Sequence, residues 1–330
     1  MSLHVHLTHP PDADTLDHLQ SQLLPDIQIT TGDETSATAD ILVAGRPSPE
    51  QLAASPQLRA LIIPWAGLPE PTRDLLADHP TIAVHNLHHN AGAVAELTLS
   101  LLLAAAKQIV PFDQSLRRHD WTPRYERPSP STLLSGKTAL ILGYGAIGRR
   151  VAQLCRALDM DVLATRRRAE VAADDFAEGD FAHEIHPPDA LLDLLPRANA
   201  LIVCLPHTPE TDGLIGAKEL GMLQRPSLLV NIGRGAVVEQ KALYEALQTG
   251  VLHAAGLDVW YTYPPDEEAR THTPPAEFPF HQLDNVVMSP HRGGMTSETE
   301  PLRMRYLAKL LNAAARGEPM PNQVDLQRGY

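Results

Sequence analysis

The sequence predicts an α/β protein of two domains, each a parallel sheet covered by helices, with a cleft between them. Two observations lead there. Short apolar runs alternate with amphipathic stretches along almost the whole chain, the pattern of consecutive βαβ units. The length of 330 residues suits about two domains at roughly 150 residues each. Hydrophobic residues at 43% and charged residues at 20% are ordinary globular usage, which excludes a disordered or collagen-like chain. Aromatics make up only 5%, so the core falls to Leu, Ile, Val and Ala.

In the first part, strands are predicted at 3–7, 27–30, 41–44, 60–63 and 82–84, with helices such as 14–24 and 72–77 between them. A long helix follows over 92–116. Its apolar residues run nearly all round, as in a helix buried between two bodies. Residues 119–136 are rich in proline, serine and arginine, which reads as a connector or an arm packed on another surface. A second series then places strands at 138–142, 161–165, 200–204, 228–231, 254–258 and 286–288. A last helix covers 298–315 and the tail is polar.

Charge and cysteine usage narrow the function. The net charge is −13, which argues against nucleic-acid partners and against an anionic membrane surface. Cys155 and Cys204 both lie in apolar runs, as buried thiols of a reducing compartment do. The N-terminus has no basic stretch followed by a long apolar core, so no signal peptide is expected. The most apolar segment, between Glu96 and Lys107, holds ten residues against the ~20 of a membrane span. The expectation is a soluble, cytoplasmic protein.

The strand at 138–142 runs into Gly143-Tyr144-Gly145-Ala146-Ile147-Gly148 and then a helical stretch. This GxGxxG stands where a Rossmann domain binds a dinucleotide. Gly143 permits the turn, Gly145 lets backbone approach a pyrophosphate, and Gly148 lets helix and strand pack closely. An NAD enzyme places an acid at the end of the next strand, roughly 20 residues on. Here Arg166 stands there, eighteen residues after Gly148, followed by Arg167 and Arg168. A 2′-phosphate needs charged donors at that point, so NADP is favoured over NAD.

Three later segments follow strands: Asn231-Ile232-Gly233-Arg234-Gly235, Gly256-Leu257-Asp258-Val259-Trp260 and Ser289-Pro290-His291-Arg292-Gly293-Gly294. All fall at strand C-termini, where open α/β sheets build their sites. With Val94-Ala95-Glu96 and the loop Pro64-Trp65-Ala66-Gly67-Leu68, the chain resembles the D-isomer-specific 2-hydroxyacid dehydrogenase family over nearly its whole length. The resemblance implies two domains, Rossmann-like and flavodoxin-like. A discontinuous substrate domain would cover 1–100 completed by 296–330, and a dinucleotide-binding domain 101–295. It implies reduction of a small 2-oxoacid to an (R)-2-hydroxyacid with NADP or NAD, or the reverse, and a homodimer joined through the dinucleotide-binding domain.

The same resemblance implies roles. Arg234 matches the catalytic arginine, whose planar fork suits a 2-oxoacid carboxylate. His291 matches the acid/base that hands a proton to the carbonyl oxygen. Asp258 looks like the residue that holds the nicotinamide carboxamide, against a plain turn aspartate. Leu205, Pro206, Ile232 and Gly233 complete the cofactor set. Ala66, Gly67 and Leu68 match the loop whose N–H groups cradle the substrate carboxylate. Trp65 either walls that pocket or packs in the core, and His89 is counted with the substrate residues. His85, His88 and His89 lack a matching ligand set, so no metal is expected.

One position departs from the family, which typically carries a glutamate as the histidine's partner. This chain reads Asp258-Val259-Trp260-Tyr261-Thr262-Tyr263-Pro264, which puts Tyr263 in the acid's place in the catalytic set, with Glu267 or Glu268 as substitutes from a rearranged loop. A neutral partner leaves room for another small anion such as formate or phosphite as substrate. A dinucleotide-sensing binding protein of the same fold is the remaining alternative, against which an intact Arg234 and His291 argue.

Overall fold

The computed structural model describes residues 2–167 and 181–326, and Arg168 lies outside that range. The chain divides into two compact units: Met1–Asn90 with Met295–Tyr330, and Ala91–Gly294. The first boundary thus falls at 90/91 rather than at the expected 100/101. The helix that straddles the expected boundary packs as a whole with the second unit.

The first unit runs β1 (Leu3–Leu7), α1 (Ala13–Ser21), β2 (Ile27–Thr31), β3 (Ile41–Val43), α2 (Pro49–Ala53), β4 (Ala60–Ile63), α3 (Glu70–Leu76) and β5 (Ala83–Asn86). Its sheet is fully parallel in the order β2-β1-β3-β4-β5, the flavodoxin-like order. Side chains alternate between two cores, as the period of a strand requires. Ala60 and Ile62 of β4 face one core, and Leu61 and Ile63 face the other.

The second unit runs α4 (Ala91–Lys107), α5 (Ile109–Arg117), α6 (Thr122–Tyr125), β6 (Thr138–Leu142), α7 (Ala146–Ala157), β7 (Asp161–Thr165) and β8 (Glu184–His186). It continues with α8 (Leu191–Leu194), β9 (Ala200–Val203), α9 (Ala217–Met222), β10 (Leu228–Asn231), α10 (Gln240–Gln248), β11 (Ala254–Leu257) and β12 (Val286–Met288). The seven strands are parallel in the order β12-β11-β10-β9-β6-β7-β8. Counted from β6 this is the Rossmann order with one added strand. Leu140 and Leu142 face the side covered by α8, α9 and α10, and Ala139 and Ile141 face α4 and α7.

The predicted helix over 92–116 is broken into α4 and α5, bent by 65°. Gln108 takes the left-handed conformation at φ 55°. Pro111 lies four residues after Lys107 and has no N–H for that carbonyl. Ser131 Oγ donates to the Lys107 carbonyl instead. Nor is α4 buried all round, since Glu96 and Ser100 are exposed. Residues after α6 are tied to the second unit, where Thr132 N donates to Ala106 O at 2.7 Å and His253 Nε2 to Pro130 O at 2.8 Å. β8 escaped the sequence reading because Glu-Ile-His carries no apolar run. Among the described residues no single helix is long and apolar enough to cross a membrane.

The last helix, α11 (Thr299–Ala315), returns to the first unit and packs Met304, Leu307, Leu310 and Leu311 on its sheet. Asn312 fastens it there. Its Nδ2 donates to Gln22 O at 2.9 Å and its Oδ1 accepts from Leu24 N at 2.9 Å. Asn312→Ala removes two hydrogen bonds and leaves the Leu24 amide and Gln22 carbonyl without these partners. It is expected to cost about 2 kcal/mol, each such bond being worth about 1 kcal/mol. The loss should appear as a lowered urea midpoint, and an unchanged midpoint contradicts the assignment.

Candidate active site

The second sheet reverses its winding between β6 and β9, the switch point at which ligands bind in open α/β sheets. The glycine loop stands there. Gly143 sits at φ +94°, and a Cβ on it would lie 2.9 Å from Cys204 O. A Cβ on Gly148 would strike the Gly143 carbonyl, and one on Gly233 the Leu205 carbonyl. Backbones of the loops after β6, β9 and β10 therefore touch directly, and Leu205 lies between two glycines. The N-terminus of α7 begins at Gly145 with no side-chain cap. A Cβ at Gly145 would meet nothing within 4 Å, so the space beside this helix start is open.

Other members of the expected cofactor set are placed differently. Tyr144 is buried, and its phenol oxygen accepts from Phe181 N at 3.0 Å and Ala182 N at 3.1 Å. Its side chain therefore serves the core rather than a ligand. Ile232 is also buried in the core, and Pro206 is half-buried. Arg166 follows β7 and pairs its backbone with His186 O at 3.0 Å. Arg167 is exposed beside the loop after β9, where Glu210 lies below the usual carboxylate range through its Thr208 hydrogen bond, with Arg167 adding a smaller pull.

Asp258 is 2% exposed at the end of β11. Its carboxylate accepts from Ser289 Oγ at 2.5 Å, Arg292 N at 2.9 Å and Gly293 N at 2.9 Å. The residue held inside that clasp is His291, at φ 57°. This left-handed conformation is uncommon for a non-glycine residue, and such strain persists only where neighbours impose it. The carboxylate is thus engaged by the loop that carries the histidine, which gives Asp258 the turn-holding role weighed above.

The loop after β11 is anchored by aromatics. Trp260 packs on Phe280 and donates Nε1 to Ser289 O at 2.8 Å, while Tyr261 stacks on Phe280 and donates its hydroxyl to Val238 O at 2.8 Å. With these two fixed, Tyr263 turns toward His291, its Oη 3.0 Å from Nδ1. Trp260 N donates to the same oxygen at 3.1 Å. Glu267 instead pairs with Arg270 at 2.6 Å, so Tyr263 is the histidine's partner. Sequence reading missed the roles of Trp260 and Ser289, which depend on contacts between the loops after β11 and β12.

Arg234 joins this group from the loop after β10. Asn231 braces that loop, its Nδ2 donating to Arg234 O at 3.0 Å and its Oδ1 accepting from Gly233 N at 3.1 Å. The guanidinium donates to Gly233 O at 2.7 Å. Desolvation lowers the arginine's pKa, with Tyr263 opposing. Desolvation, then Arg234, lower that of His291, while Asp258 works the other way. Tyr263 is raised by desolvation, against the pull of the Trp260 amide and Arg234. Burial and the Arg234 cation thus both disfavour a charged His291, and burial disfavours a charged Tyr263.

In the first unit, Trp65 is 37% exposed, its ring lying over Gly45, where a Cβ would collide with it. It is thus neither a core tryptophan nor a free one. Asn86 Nδ2 donates to Ala66 O at 2.7 Å and Leu87 N to Trp65 O at 3.3 Å, which fixes the loop at Trp65 and Ala66. His89 turns inward against Tyr306 with ring centroids 6.5 Å apart, and burial, then Arg303, push its pKa to about 4. The ring packs on Tyr306 and disfavours a positive charge, and its Nδ1 has no hydrogen-bond partner among the described residues. His85 Nδ1 donates to Pro321 O at 2.9 Å.

Comparison with known proteins accounts for this arrangement. Residues 99–293 match the model of the D-isomer specific 2-hydroxyacid dehydrogenase, NAD binding domain. The glyoxylate/hydroxypyruvate reductase B of Pectobacterium carotovorum is 32% identical over 295 residues, 88% of this chain and 87% of that protein. The chain belongs to the D-isomer-specific 2-hydroxyacid dehydrogenase family. A D-3-phosphoglycerate dehydrogenase of Mycobacterium leprae is 34% identical over 281 residues, 85% of this chain and 49% of that protein. This chain spans about half the length of such phosphoglycerate dehydrogenases. A crystal structure of a family member from Xanthobacter autotrophicus Py2, in complex with NADPH and MES, superposes with a TM-score of 0.79 at 26% identity, covering 100% of both chains.

The clasp on the histidine loop is testable without a substrate. Asp258→Asn keeps one acceptor oxygen but turns an NH2 toward loop donors. A charge-assisted hydrogen bond is worth about 1.5–3 kcal/mol, so the Arg292 and Gly293 amides should exchange with solvent about ten- to a hundred-fold faster. Unchanged exchange in a folded variant contradicts the role given to Asp258.

Proposed function

We propose that this protein is an NAD(P)-dependent oxidoreductase that interconverts a small 2-oxoacid and the (R)-2-hydroxyacid. The observation that carries the reading is the convergence of Arg234, Tyr263 and His291 in one group at the C-terminal end of the Rossmann sheet. A dinucleotide fits the chain's own residues. The uncapped α7 terminus and the open space at Gly145 suit a pyrophosphate. Arg166 and Arg167 at the end of β7 suit a 2′-phosphate, so NADP is favoured, and the family member from Xanthobacter autotrophicus Py2 was crystallised with NADPH.

When bound, the reduced nicotinamide supplies a hydride to the carbonyl carbon. Arg234 holds the substrate carboxylate and draws charge toward the carbonyl oxygen. His291 delivers the proton to that oxygen, and removes it in the reverse direction. Ala66, Gly67 and Leu68, with Trp65, are the residues of the first unit that the family pattern assigns to the substrate carboxylate. The exposed apolar residues Ile109, Leu116, Trp121, Tyr125 and Leu133 support a homodimer through the dinucleotide-binding unit. Both cysteines are free and burial raises both thiols, which suits a cytoplasmic location.

An initial-rate screen of glyoxylate, hydroxypyruvate, pyruvate and longer 2-oxoacids with NADPH and NADH tests the reading, with formate and phosphite oxidation as contrasting arms. Turnover of formate or phosphite alone, or tight cofactor binding with no turnover at all, overturns it. On the best substrate, His291→Ala is expected to lose ~10²–10⁴-fold in kcat as proton delivery is lost. Arg234→Ala should lose most activity while still binding cofactor. Near wild-type turnover in either variant refutes the roles assigned.

Cofactor choice has its own measurement. A charged hydrogen bond of about 1.5–3 kcal/mol corresponds to roughly ten- to a hundred-fold in affinity. Arg166→Asp should weaken NADPH by that factor and NADH far less, read as Kd by fluorescence titration. Equal affinity of the unmodified protein for both cofactors counts against NADP preference.

A further inference from the structure

The hydrogen bonds of Tyr263 carry more than the replacement of a carboxylate by a phenol. The Trp260 amide can only donate, so it takes one side of the Tyr263 oxygen at 3.1 Å. His291 Nδ1 lies 3.0 Å from the same oxygen. A phenol has one proton to give. Given to Nδ1, it satisfies the amide, the hydroxyl and the ring nitrogen together. Nδ1 is then the acceptor of the ring, and the ring proton belongs on Nε2. A carboxylate in this place does the reverse: it accepts from Nδ1–H and leaves Nε2 bare whenever the ring is neutral.

We propose that Tyr263 is a positioning residue that holds neutral His291 as its Nε2–H tautomer and passes the phenolic proton on to Nδ1, so that 2-oxoacid reduction draws on neutral imidazole rather than imidazolium. This rests on the reading of the site as that of a 2-oxoacid reductase. The groups facing the histidine fit it. Arg234 approaches from the loop after β10, Asp258 from the end of β11 and Tyr263 from the loop that follows. Arg234 disfavours an imidazolium, and the Asp258 carboxylate is engaged by three donors of the histidine loop. Desolvation acts in the same direction as Arg234 and further disfavours the charged ring.

The step balances. The two electrons and the hydrogen for carbon come from the reduced nicotinamide, and the carbonyl π pair moves to oxygen. The Nε2–H bond of His291 breaks and its proton goes to that oxygen. The Tyr263 O–H proton moves to Nδ1, and the ring stays neutral. The negative charge is left on the Tyr263 oxygen, which keeps the Trp260 N–H and faces the Arg234 cation. A phenolate is a weaker base than an alkoxide, so the transfer runs downhill. Tyr263 is 46% exposed, within reach of solvent. The cycle closes when Nε2 takes a proton from water and Nδ1 returns its own to the phenolate.

Two measurements decide the proposal. The first is 15N NMR of the cofactor-free protein at pH about 8, where imidazole is neutral. His291 is expected to show a protonated Nε2 and a bare Nδ1, and Tyr263→Glu should exchange the two. A protonated Nδ1 in the unmodified protein overturns the tautomer. The second is kcat/KM for reduction against pH. The unmodified protein should show no loss at the histidine pKa found by NMR. Tyr263→Phe, which keeps the ring but has no proton to pass, should lose about tenfold per pH unit above that pKa. A limb at the histidine pKa in the unmodified protein overturns the relay. If no 2-oxoacid is turned over, the functional reading fails and the relay with it, while the spectrum still decides the tautomer.

Discussion

The carboxylate of Asp258 is the point on which the site depends. It is buried at the end of β11, and it accepts three hydrogen bonds from the loop Ser289–Gly293. Those bonds hold His291 at a left-handed backbone angle, a conformation that costs of order 1–3 kcal/mol when nothing imposes it. The strand end thus sets the loop, and the loop sets the ring. Gly293 is needed as well, since a Cβ there would lie 2.9 Å from Asp258 Oδ2.

From that fixed ring, the remaining chemistry follows by charge. Arg234 is the positive group, and Tyr263 supplies hydrogen bonding without a formal charge. The site as a whole is therefore more positive than one built on a carboxylate–histidine pair. Under the proposed function the substrate is an anion and its reduction places further negative charge on oxygen, so a positive site would favour both the bound substrate and the developing charge. The protein carries a net charge of −13, so attraction for such a ligand must be local. Under the proposed function Arg234 provides it for the substrate, and Arg166 and Arg167 at the end of β7 provide it for the 2′-phosphate.

Rigidity comes from unremarkable sources. Backbones of neighbouring loops touch at Gly143, Gly148 and Gly233, and Asn231 ties the Arg234 loop to the end of β10. Phe280 carries the rings of Trp260 and Tyr261, and this leaves Tyr263 only one way to face. These contacts join loops to a buried sheet, which is why Tyr263 and His291 meet within hydrogen-bonding distance and Arg234 acts on both through its charge.

Much of this was legible in the sequence, for a physical reason. Buried parallel strands are short apolar runs, and those at Ala60–Ile63, Thr138–Leu142, Asp161–Thr165, Leu228–Asn231 and Val286–Met288 stand out as such. The glycine loop and the arginine and histidine segments could be placed because each directly follows a strand. Features that depend on partners distant in sequence were not legible. β8 is a strand only because β7 offers an edge, and the helix break at Gln108 depends on Ser131 taking a carbonyl that Pro111 cannot serve. Tyr144 and His89 looked like ligand residues until packing turned their side chains inward. Local sequence determined which residue types stand at which strand ends. Tertiary structure alone decided that Asp258 grips the histidine loop and that Tyr263, not Glu267, meets His291, because a hydrogen bond needs an approach that only the folded chain supplies.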